Sequence, residues 1–509
     1  MDTARLSIDP AFRIGPARRR LFGSFVEHMG RCVYGGVYEP GHATADGHGL
    51  RGDVLDLTRE LGVSVVRYPG GNFVSGYRWE DGVGPVGDRP RRLDLAWKTI
   101  ETNAFGLDEF MRWARAAGVE PMMAVNLGTR GVQEACDLLE YANHPGGTHF
   151  SDMRRKYGAE EPYDIRLWCL GNELDGPWQV GHKTADEYGR LAAETARAMK
   201  MIDPSVSLVA CGSSNRGMPT FAAWEATVLS HTYEHVDYIS AHTYYDPSDG
   251  DRPSILASAV DLDAFIQEVV ATADHVAARK REKRRLMVSF DEWNVWYQQR
   301  LRADLDRRGW VEAPALIEDT FTATDAVVVG DLLITLLRHA DRVGVACQAQ
   351  LANVIAPIRT LNGGPAWRQS IFHPFALTAR YARGTVLRTE PAGPSHDTNR
   401  YGEVSSVDTV AVHDEETGGL VVFAVNRGTT DIRLDIDLRG LPGLAGAAHL
   451  ALDAGADPDA VNTADDPDRV VPRERERPSV DAGWSAVRLA PASWNLIRYH
   501  LPPPEGGPT

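Results

Sequence analysis

The chain has 509 residues, of which 43% are hydrophobic and 24% are charged. This length exceeds what one hydrophobic core organises, so two domains are expected, one of them large enough for a barrel of about 300 residues. The net charge of -16 argues against nucleic acid or an anionic membrane surface as a partner and favours a neutral substrate.

Residues 1–10 lack the apolar stretch of a secretory signal, and no run of 18 apolar residues predicts a membrane span. The five cysteines are widely scattered, without a Cys-x-x-Cys pair, which favours reduced thiols. Together these features predict a cytoplasmic protein.

From about residue 20 to residue 375, short apolar runs alternate with helical patterns, which is typical of repeated βα units and a parallel sheet. In chain order the predicted strands are 21–27, 63–68, 121–127, 165–170, 207–211, 238–243, 285–290 and 345–354. Between them, end signals mark helices, including a capping box that begins at Thr184 and a glycine stop at Gly118. Eight such units fit a (β/α)8 TIM barrel, although a doubly wound open sheet gives the same local pattern.

After residue 375 the spacing of apolar residues changes from a helical period to strict alternation, as over residues 432–438. A turn at 416–419 and further strand-like runs predict an all-β sandwich. Alternation over residues 4–8 predicts that the N-terminus adds a strand to it. The predicted domains are therefore a catalytic barrel of residues 15–375, a sandwich of residues 1–14 plus 376–501, and a tail of residues 502–509.

Polar residues follow six of the eight predicted strands, at the end where a barrel carries its chemistry. They are Glu27 and His28, Arg67 and Asn72, Asn126, Asn172 and Glu173, residues 242–245, and Asp291 and Glu292. This clustering favours the barrel over the open sheet. Aromatic faces suit sugar rings, and four tryptophans are predicted in loops near the same ends: Trp97, Trp178, Trp293 and Trp296.

Glu173 and Glu292 each end an apolar, strand-like run, on the fourth and seventh predicted strands. Two opposed carboxylates cut a glycosidic bond when one is protonated as general acid and the other stays ionised. Taken singly, a helix cap or a structural ion pair explains either residue. On strands four and seven of one barrel they share a mouth, and the pair then predicts a glycosidase.

Other chemistries fit the sequence less well. The histidines lack metal-ligand spacing, no Gly-x-Ser-x-Gly elbow is present, and the glycine-rich loops miss the phosphate-binding spacing. We therefore predict neither a metal nor a cofactor. In residues 67–73 paired glycines permit close approach to a ligand, although a plain tight turn explains them equally well.

The chain resembles the α-L-arabinofuranosidases of glycoside hydrolase family 51. The matching motifs stand in order along nearly the whole chain, at residues 22–28, 67–73, 170–178, 291–294, 349–357 and 491–494. The resemblance implies a (β/α)8 barrel with a jelly-roll-like sandwich. It also implies a retaining, exo-acting enzyme that releases terminal arabinofuranosyl residues from arabinan- or arabinoxylan-derived oligosaccharides. Family members are commonly hexamers, so a homohexamer is implied as well.

The resemblance also assigns roles to individual residues. It makes Glu173 the acid/base and Glu292 the nucleophile of a double displacement. The predicted substrate contacts are Glu27, Arg67, Asn72, Asn172, Trp178, Tyr244, Trp296 and Gln350. A retaining mechanism requires the two carboxyl groups to lie about 5–5.5 Å apart, whereas about 6.5–9.5 Å indicates inversion.

Two alternatives remain at the level of the sequence. A different retaining barrel glycosidase, such as an endo-glucanase or a xylanase, would need an open cleft in place of a terminal pocket. A non-catalytic carbohydrate-binding protein would use the sandwich module, but the paired glutamates in matching motifs weigh against it. The preferred linkage and oligosaccharide length are not predicted.

Overall fold

The computed structural model describes residues 1–299, 301, 305 and 309–502, and a closed barrel of eight parallel strands is its centre. The barrel strands are Gly23–Phe25, Val65–Tyr68, Glu120–Ala124, Leu167–Leu170, Ser207–Ala210, Tyr238–Tyr245, Met287–Val295 and Val343–Gln348. They follow one another around the barrel in chain order, and the eighth pairs with the first. All eight overlap the predicted strands, so the barrel is confirmed and the open sheet is excluded.

Helices connect the barrel strands and cover the outside of the barrel. They are Gly52–Leu61, Leu107–Ala117, Val132–Asn143, His149–Lys156, Ala185–Ile202, Ala223–Thr232, Arg252–Leu256, Ser258–Lys280, Ala323–Arg338 and Phe372–Tyr381, with 3-10 turns at Arg19–Leu21, Asn72–Gly76, Trp79–Gly82 and Val86–Asp88. The predicted end signals are present: the Thr184 hydroxyl accepts the Glu187 N–H, and Gly118 ends its helix with φ of 75°. In the part of the chain that the structure describes, none of the helices has the length and apolar character needed to cross a bilayer.

The seventh and eighth strands end at different places from those predicted. Pairing between strands six and seven continues past a bulge, so strand seven runs to Val295 and Glu292 lies inside it. Trp293, predicted in a loop, is consequently a fully buried strand residue. Strand eight ends at Gln348, so Gln350, predicted inside that strand, lies just beyond it.

Two further sheets form a β-sandwich. The seven-stranded sheet contains, in spatial order, Arg13–Pro16, Thr385–Leu387, Val407–Asp414, Gly419–Asn426, Ser493–His500, Ala445–Asp453 and Arg473–Glu474. The four-stranded sheet contains Asp2–Ser7, Ile432–Asp437, Trp484–Leu489 and Val480–Asp481. Their facing apolar side chains make a core separate from that of the barrel. The N-terminal strand pairs in parallel with Ile432–Asp437, which confirms the strand predicted from the alternation over residues 4–8. The limits of the barrel and sandwich domains stay a prediction.

Three two-stranded ribbons complete the fold. They are Arg92–Asp94 with Thr99–Glu101, Ile358–Thr360 with Ala366–Arg368, and Ser395–Thr398 with Gly402–Ser405. The first two lie within the barrel segment of the chain, and the third belongs to the sandwich segment.

The barrel and the sandwich meet along helix Ala323–Arg338, which is buried on all sides up to its last residue. Most of its residues are accordingly apolar on every face, with Asp325 and Asp331 as buried exceptions. Trp494 from the sandwich packs so closely on Gly330 that a Cβ there would lie 2.2 Å from its ring. Arg427 of the sandwich joins the same interface through its Nε, 2.7 Å from Asp331, and its Nη2, 2.6 Å from Asp408.

Replacing Arg427 with methionine is expected to lower the free energy of unfolding by about 3–5 kcal/mol, because two buried carboxylates lose a counter-charge. The side chains of Arg427, Asp331 and Asp408 are at most 5% exposed. As a control, Arg488→Met removes an exposed ion pair with Asp431, which is worth at most about 1 kcal/mol. Differential scanning calorimetry should show a clearly lower Tm for the first variant alone, and equal Tm values would contradict the interpretation.

Candidate active site

A cavity of about 1030 Å³ opens at the carboxyl ends of the barrel strands, near the upper limit of about 300–1,000 Å³ typical of ligand sites. Eight of the ten residues predicted from the sequence line it: Glu27, Asn72, Glu173, Trp178, Tyr244, Glu292, Trp296 and Gln350. The other two, Arg67 and Asn172, are buried beside it, at 1% exposure each. Residues from six different strand ends therefore meet in one place.

Glu173 and Glu292 face each other across this cavity, and a carboxylate oxygen of one lies within 4.8 Å of an oxygen of the other. Glu173 follows the fourth strand in a left-handed conformation with φ of 44°, a backbone arrangement that costs about 1–3 kcal/mol and is concentrated at functional sites. Its two oxygens bond to His242 Nδ1 and to the Trp178 indole N–H, both at 2.9 Å. The acid on strand four is thus oriented by partners on its own loop and on strand six.

Glu292 has a different set of partners. Its Oε1 accepts a hydrogen bond from Arg67 Nη1 at 2.7 Å, and its Oε2 accepts one from the Tyr244 hydroxyl at 2.8 Å. Burial raises the pKa of Glu292 and the nearby Glu173 raises it further, whereas His242, Arg67 and the Tyr244 hydroxyl lower it. The net effect is a raised pKa, because burial is the largest influence, and the two cations limit how far the pKa of this carboxyl rises.

Arg67 also links Glu292 to the residue next to the acid. Its Nη2 donates to Asn172 Oδ1 at 2.6 Å, and Asn172 in turn donates to Asn72 Oδ1 at 3.3 Å. One guanidinium thereby orients both the strand-seven carboxylate and an amide beside Glu173. Arg67 is therefore buried beside the cavity in contact with Glu292 and Asn172, while Asn72 faces the cavity.

His242 and Asp291, which the sequence places at strand ends but to which it assigns no role, form a buried network with Glu173. His242 Nδ1 lies 2.9 Å from Glu173 and its Nε2 lies 2.9 Å from Asp291. Burial alone would lower the pKa of His242, but the carboxylates of Glu292, Asp291 and Glu173 raise it to about 10. With the pKa raised in this way, both ring nitrogens carry protons and donate to an oxygen of Glu173 and an oxygen of Asp291. The sequence contains one signal for this network: His242 and Asp291 are ionisable residues in otherwise apolar strands. Because buried charges need partners, such residues predict contacts with each other or with other charged groups.

The side chains of Glu173, His242 and Glu292 form a cluster with the size of a cation site. One oxygen or nitrogen atom of each residue lies within 4.8 Å of the corresponding atoms of the other two. A metal requires a neutral imidazole with a free lone pair. Both ring nitrogens of His242 already lie 2.9 Å from carboxyl oxygens, of Glu173 and of Asp291, so both are engaged in hydrogen bonds. The cluster therefore functions as a hydrogen-bond network between acids.

Glu27 forms a second polar centre, at the end of the first strand. Its carboxylate accepts hydrogen bonds from the Phe73 N–H and the Trp97 indole at 2.9 Å, and from Gln350 Nε2 at 3.0 Å. Burial raises the pKa of Glu27 to about 8, so the group is mostly protonated at pH 7. Amides, an indole and a carboxyl grouped in this way are suited to pair with sugar hydroxyls.

Gly70 and Gly71 let the loop after strand two pass close to both carboxylates. A Cβ on Gly70 would lie 2.5 Å from Glu27 Cγ, and one on Gly71 would lie 3.0 Å from Glu292 Oε1. Gly70 also has φ of 152°, which L side chains rarely adopt. The paired glycines are thus explained by their approach to Glu27 and Glu292, and not by a plain turn.

The predicted tryptophans occupy different positions. Trp97 is buried against Glu27, Trp296 packs edge-on against Tyr244 with ring centroids 5.1 Å apart, and Trp178 is 49% exposed at the rim. All three line the cavity, whereas Trp293 is fully buried in strand seven. The cavity therefore has aromatic surface both near its floor and at its entrance.

Replacing His242 with asparagine is expected to move the acidic limb of the kcat/KM profile to higher pH. The imidazolium lowers the pKa of Glu292, so without it the carboxylate becomes protonated at a higher pH. The expected shift is about one to three pH units, the effect of an opposite charge about 4–6 Å away. The exposed His48 supplies a matched control, His48→Asn. A pH profile for His242→Asn that coincides with that of the parent enzyme would refute the role of the cation.

Comparison with known proteins places the chain among sugar-cleaving enzymes. Residues 57–260 match the family described as α-L-arabinofuranosidase 1 domain, and residues 291–493 match the α-L-arabinofuranosidase C-terminal domain. An intracellular exo-α-(1→5)-L-arabinofuranosidase of Streptomyces lividans is 59% identical, over 99% of this chain and 76% of its own length. An exo-α-(1→6)-L-arabinofuranosidase of Bifidobacterium longum is 52% identical, over 98% of this chain and 97% of its own length.

A solved structure is similar along its whole length. It is a family 51 α-L-arabinofuranosidase from Bifidobacterium longum, 46% identical in sequence, with a TM-score of 0.94. The match covers 98% of this chain and 100% of the solved one. Barrel and sandwich are therefore shared with that enzyme.

Proposed function

Since the chain belongs to the α-L-arabinofuranosidases of glycoside hydrolase family 51, we propose that its barrel mouth releases terminal non-reducing α-L-arabinofuranosyl residues by double displacement. The substrates are oligosaccharides derived from arabinan or arabinoxylan. One observation carries the retaining mechanism: carboxylate oxygens of Glu173 and Glu292 lie within 4.8 Å of each other. An approach this close supports the retaining arrangement, in which the carboxyl groups lie about 5–5.5 Å apart, over the inverting one at about 6.5–9.5 Å.

In the first step Glu292 attacks the anomeric carbon while Glu173 gives its proton to the departing oxygen. The glycosidic C–O bond breaks, and an ester forms between the sugar and Glu292. In the second step Glu173, now a carboxylate, takes a proton from water, which attacks the same carbon and releases arabinose. Two inversions give net retention of configuration.

The remaining residues divide between sugar contact and support. Glu27, Asn72, Tyr244 and Gln350 line the cavity around Glu292, and we assign them to the hydroxyl groups of the terminal arabinofuranosyl ring. Asn172, which Arg67 holds beside the acid, is assigned to the sugar 2-hydroxyl, a contact that strengthens as positive charge develops on the ring. Trp178 and Trp296 flank the ring.

The stereochemical course tests the mechanism directly. With 4-nitrophenyl α-L-arabinofuranoside as donor and methanol as acceptor, the first-formed product should be methyl α-L-arabinofuranoside, because two displacements restore the starting configuration. Proton NMR during the first minutes distinguishes it from the β-anomer. Accumulation of the β-anomer would indicate a single displacement and exclude Glu292 as nucleophile.

The endo-acting alternative is tested with polymers. An exo-acting enzyme releases arabinose from arabinoxylo-oligosaccharides and leaves the chain length of glucan or xylan unchanged. Products shortened in mid-chain would instead support an endo-glucanase or a xylanase. The relatives named for (1→5) and (1→6) linkages make both linkages part of the substrate panel.

Location and assembly are also proposed by analogy. Relatives named as intracellular enzymes support a cytoplasmic location, where imported oligosaccharides and not intact polymers are available. A homohexamer is proposed from the family resemblance.

A further inference from the structure

One ribbon of the sandwich segment reaches the mouth of the barrel. Strands Ser395–Thr398 and Gly402–Ser405 pair across a turn that contains Arg400 and Tyr401. The Arg400 N–H bonds to the Ser254 hydroxyl at 3.2 Å, and its guanidinium bonds to the Asp249 carboxylate at 2.6 Å. Both partners follow the sixth barrel strand, so the tip of the ribbon is fastened to a loop at the cavity entrance.

Beside this anchor, Tyr401 lines the same cavity as Glu173 and Glu292. Its side chain is half-buried, and burial together with the charge of Asp261 raises its pKa. Asp261 also bonds to Arg216 at 2.7 Å and to the Tyr245 hydroxyl at 3.2 Å. Tyr401 thus belongs to a wall made of polar and aromatic groups from the barrel and the sandwich.

This wall lies on the leaving-group side of the cavity. Glu27, Asn72 and Gln350, which are assigned to the terminal ring, follow strands one, two and eight, although Asn172 and Tyr244, also assigned to it, come from strands four and six. Glu173 protonates the departing oxygen, and the segment after it is tied to the loop after strand five, because Asp175 accepts the Ser214 N–H at 3.0 Å. A sugar leaving past Glu173 therefore meets the loops after strands four, five and six, to which Tyr401 is fastened.

The cavity also has room for a second sugar. Its volume of about 1030 Å³ matches sites that hold ligands of drug size, well above one pentose ring. A half-buried aromatic side chain that lines such a space, as Tyr401 does, is suited to cover the C–H groups of a sugar.

We propose that Tyr401 is a specificity-determining residue that stacks on the first sugar of the leaving group. The sandwich segment then takes part in substrate choice through a single side chain. This inference rests on the proposed exo-hydrolysis, because it presupposes that Glu292 holds the terminal ring and Glu173 faces the departing sugar.

The test compares two substrates whose leaving groups are both alkyl alcohols: methyl α-L-arabinofuranoside and the α-(1→5)-linked arabinofuranosyl disaccharide. Tyr401→Ala should lower kcat/KM for the disaccharide about tenfold, chiefly by raising KM, through the loss of one aromatic stacking contact. For the methyl glycoside kcat/KM should stay within about twofold, since no sugar then reaches Tyr401. Tyr401→Phe keeps the ring and should retain most of the preference for the disaccharide.

Asp397, exposed on the same ribbon, supplies a matched control: Asp397→Ala should leave both substrates unaffected. Equal losses by Tyr401→Ala on both substrates, or no loss on either, would overturn the proposal. A loss by Tyr401→Phe as large as that by Tyr401→Ala would overturn the assignment to the ring. Failure of the proposed function itself would look different, because the parent enzyme would then hydrolyse neither substrate.

Discussion

Replacing Glu292 with alanine is expected to lower kcat/KM on every arabinofuranoside by about 10⁶-fold, the scale of loss when a nucleophile is removed from residues that act as a unit. Asp291, the adjacent acid, is fully buried and bonded to His242, so its carboxylate does not reach the cavity. Glu194→Ala, at an exposed position of helix Ala185–Ile202, is the matched control and should keep full activity.

Added azide makes this prediction sharper. In Glu292→Ala the space left by the carboxylate admits a small anion, which attacks the anomeric carbon once and gives β-L-arabinofuranosyl azide from an activated α-aryl substrate. The inverted product identifies the missing group as the nucleophile. Formation of the α-azide would instead show that the nucleophile is still present elsewhere, and would contradict the assignment.

Replacing Glu173 with alanine is expected to affect substrates according to their leaving groups. For an arabino-oligosaccharide, whose alcohol needs a proton to depart, kcat/KM should fall about 10²–10⁴-fold, the usual contribution of general acid catalysis. For 2,4-dinitrophenyl α-L-arabinofuranoside the loss should be far smaller, because this phenolate departs without protonation. Steady-state kinetics on the two substrates measure the difference.

The configuration of the azide product also distinguishes the role of Glu173 from that of Glu292. In Glu173→Ala the ester to Glu292 still forms, so azide attacks that intermediate and gives the α-azide with retained configuration. Glu173→Gln keeps the size of the side chain and should show the same dependence on the leaving group. Equal losses on the oligosaccharide and the dinitrophenyl substrate would rule out Glu173 as the acid.

The eight barrel strands could be predicted from sequence because a parallel strand buried on both faces is a continuous apolar run. Polar residues at the ends of these runs located the site as well, since a barrel brings all its strand ends to one mouth. Glu173 and Glu292 could therefore be paired from the sequence alone. The predicted end of strand seven is wrong because pairing with strand six, and not local composition, extends strand seven through Trp293. The predicted end of strand eight is wrong because its pairing with strands seven and one stops at Gln348.

The charge network under the site could not be predicted in the same way. His242 and Asp291 lie on strands six and seven, and Arg67 lies on strand two. Which of their atoms meet depends on a bulge in the pairing of strands six and seven and on the closure of the barrel. The contact between Tyr401 and the mouth could not be predicted for a related reason, because its anchors on the barrel are separated from it by about 150 residues of sequence.

The parallel strand Asp2–Ser7 also sets the order of events during synthesis. Its partner, Ile432–Asp437, leaves the ribosome roughly 430 residues later, which at about 5–20 residues per second takes about 20–90 s. During that interval the barrel sequence emerges, while strand Asp2–Ser7 still lacks the strand with which it pairs. Strand Asp2–Ser7 thus cannot join its sheet until the whole segment of residues 8–431 has been synthesised.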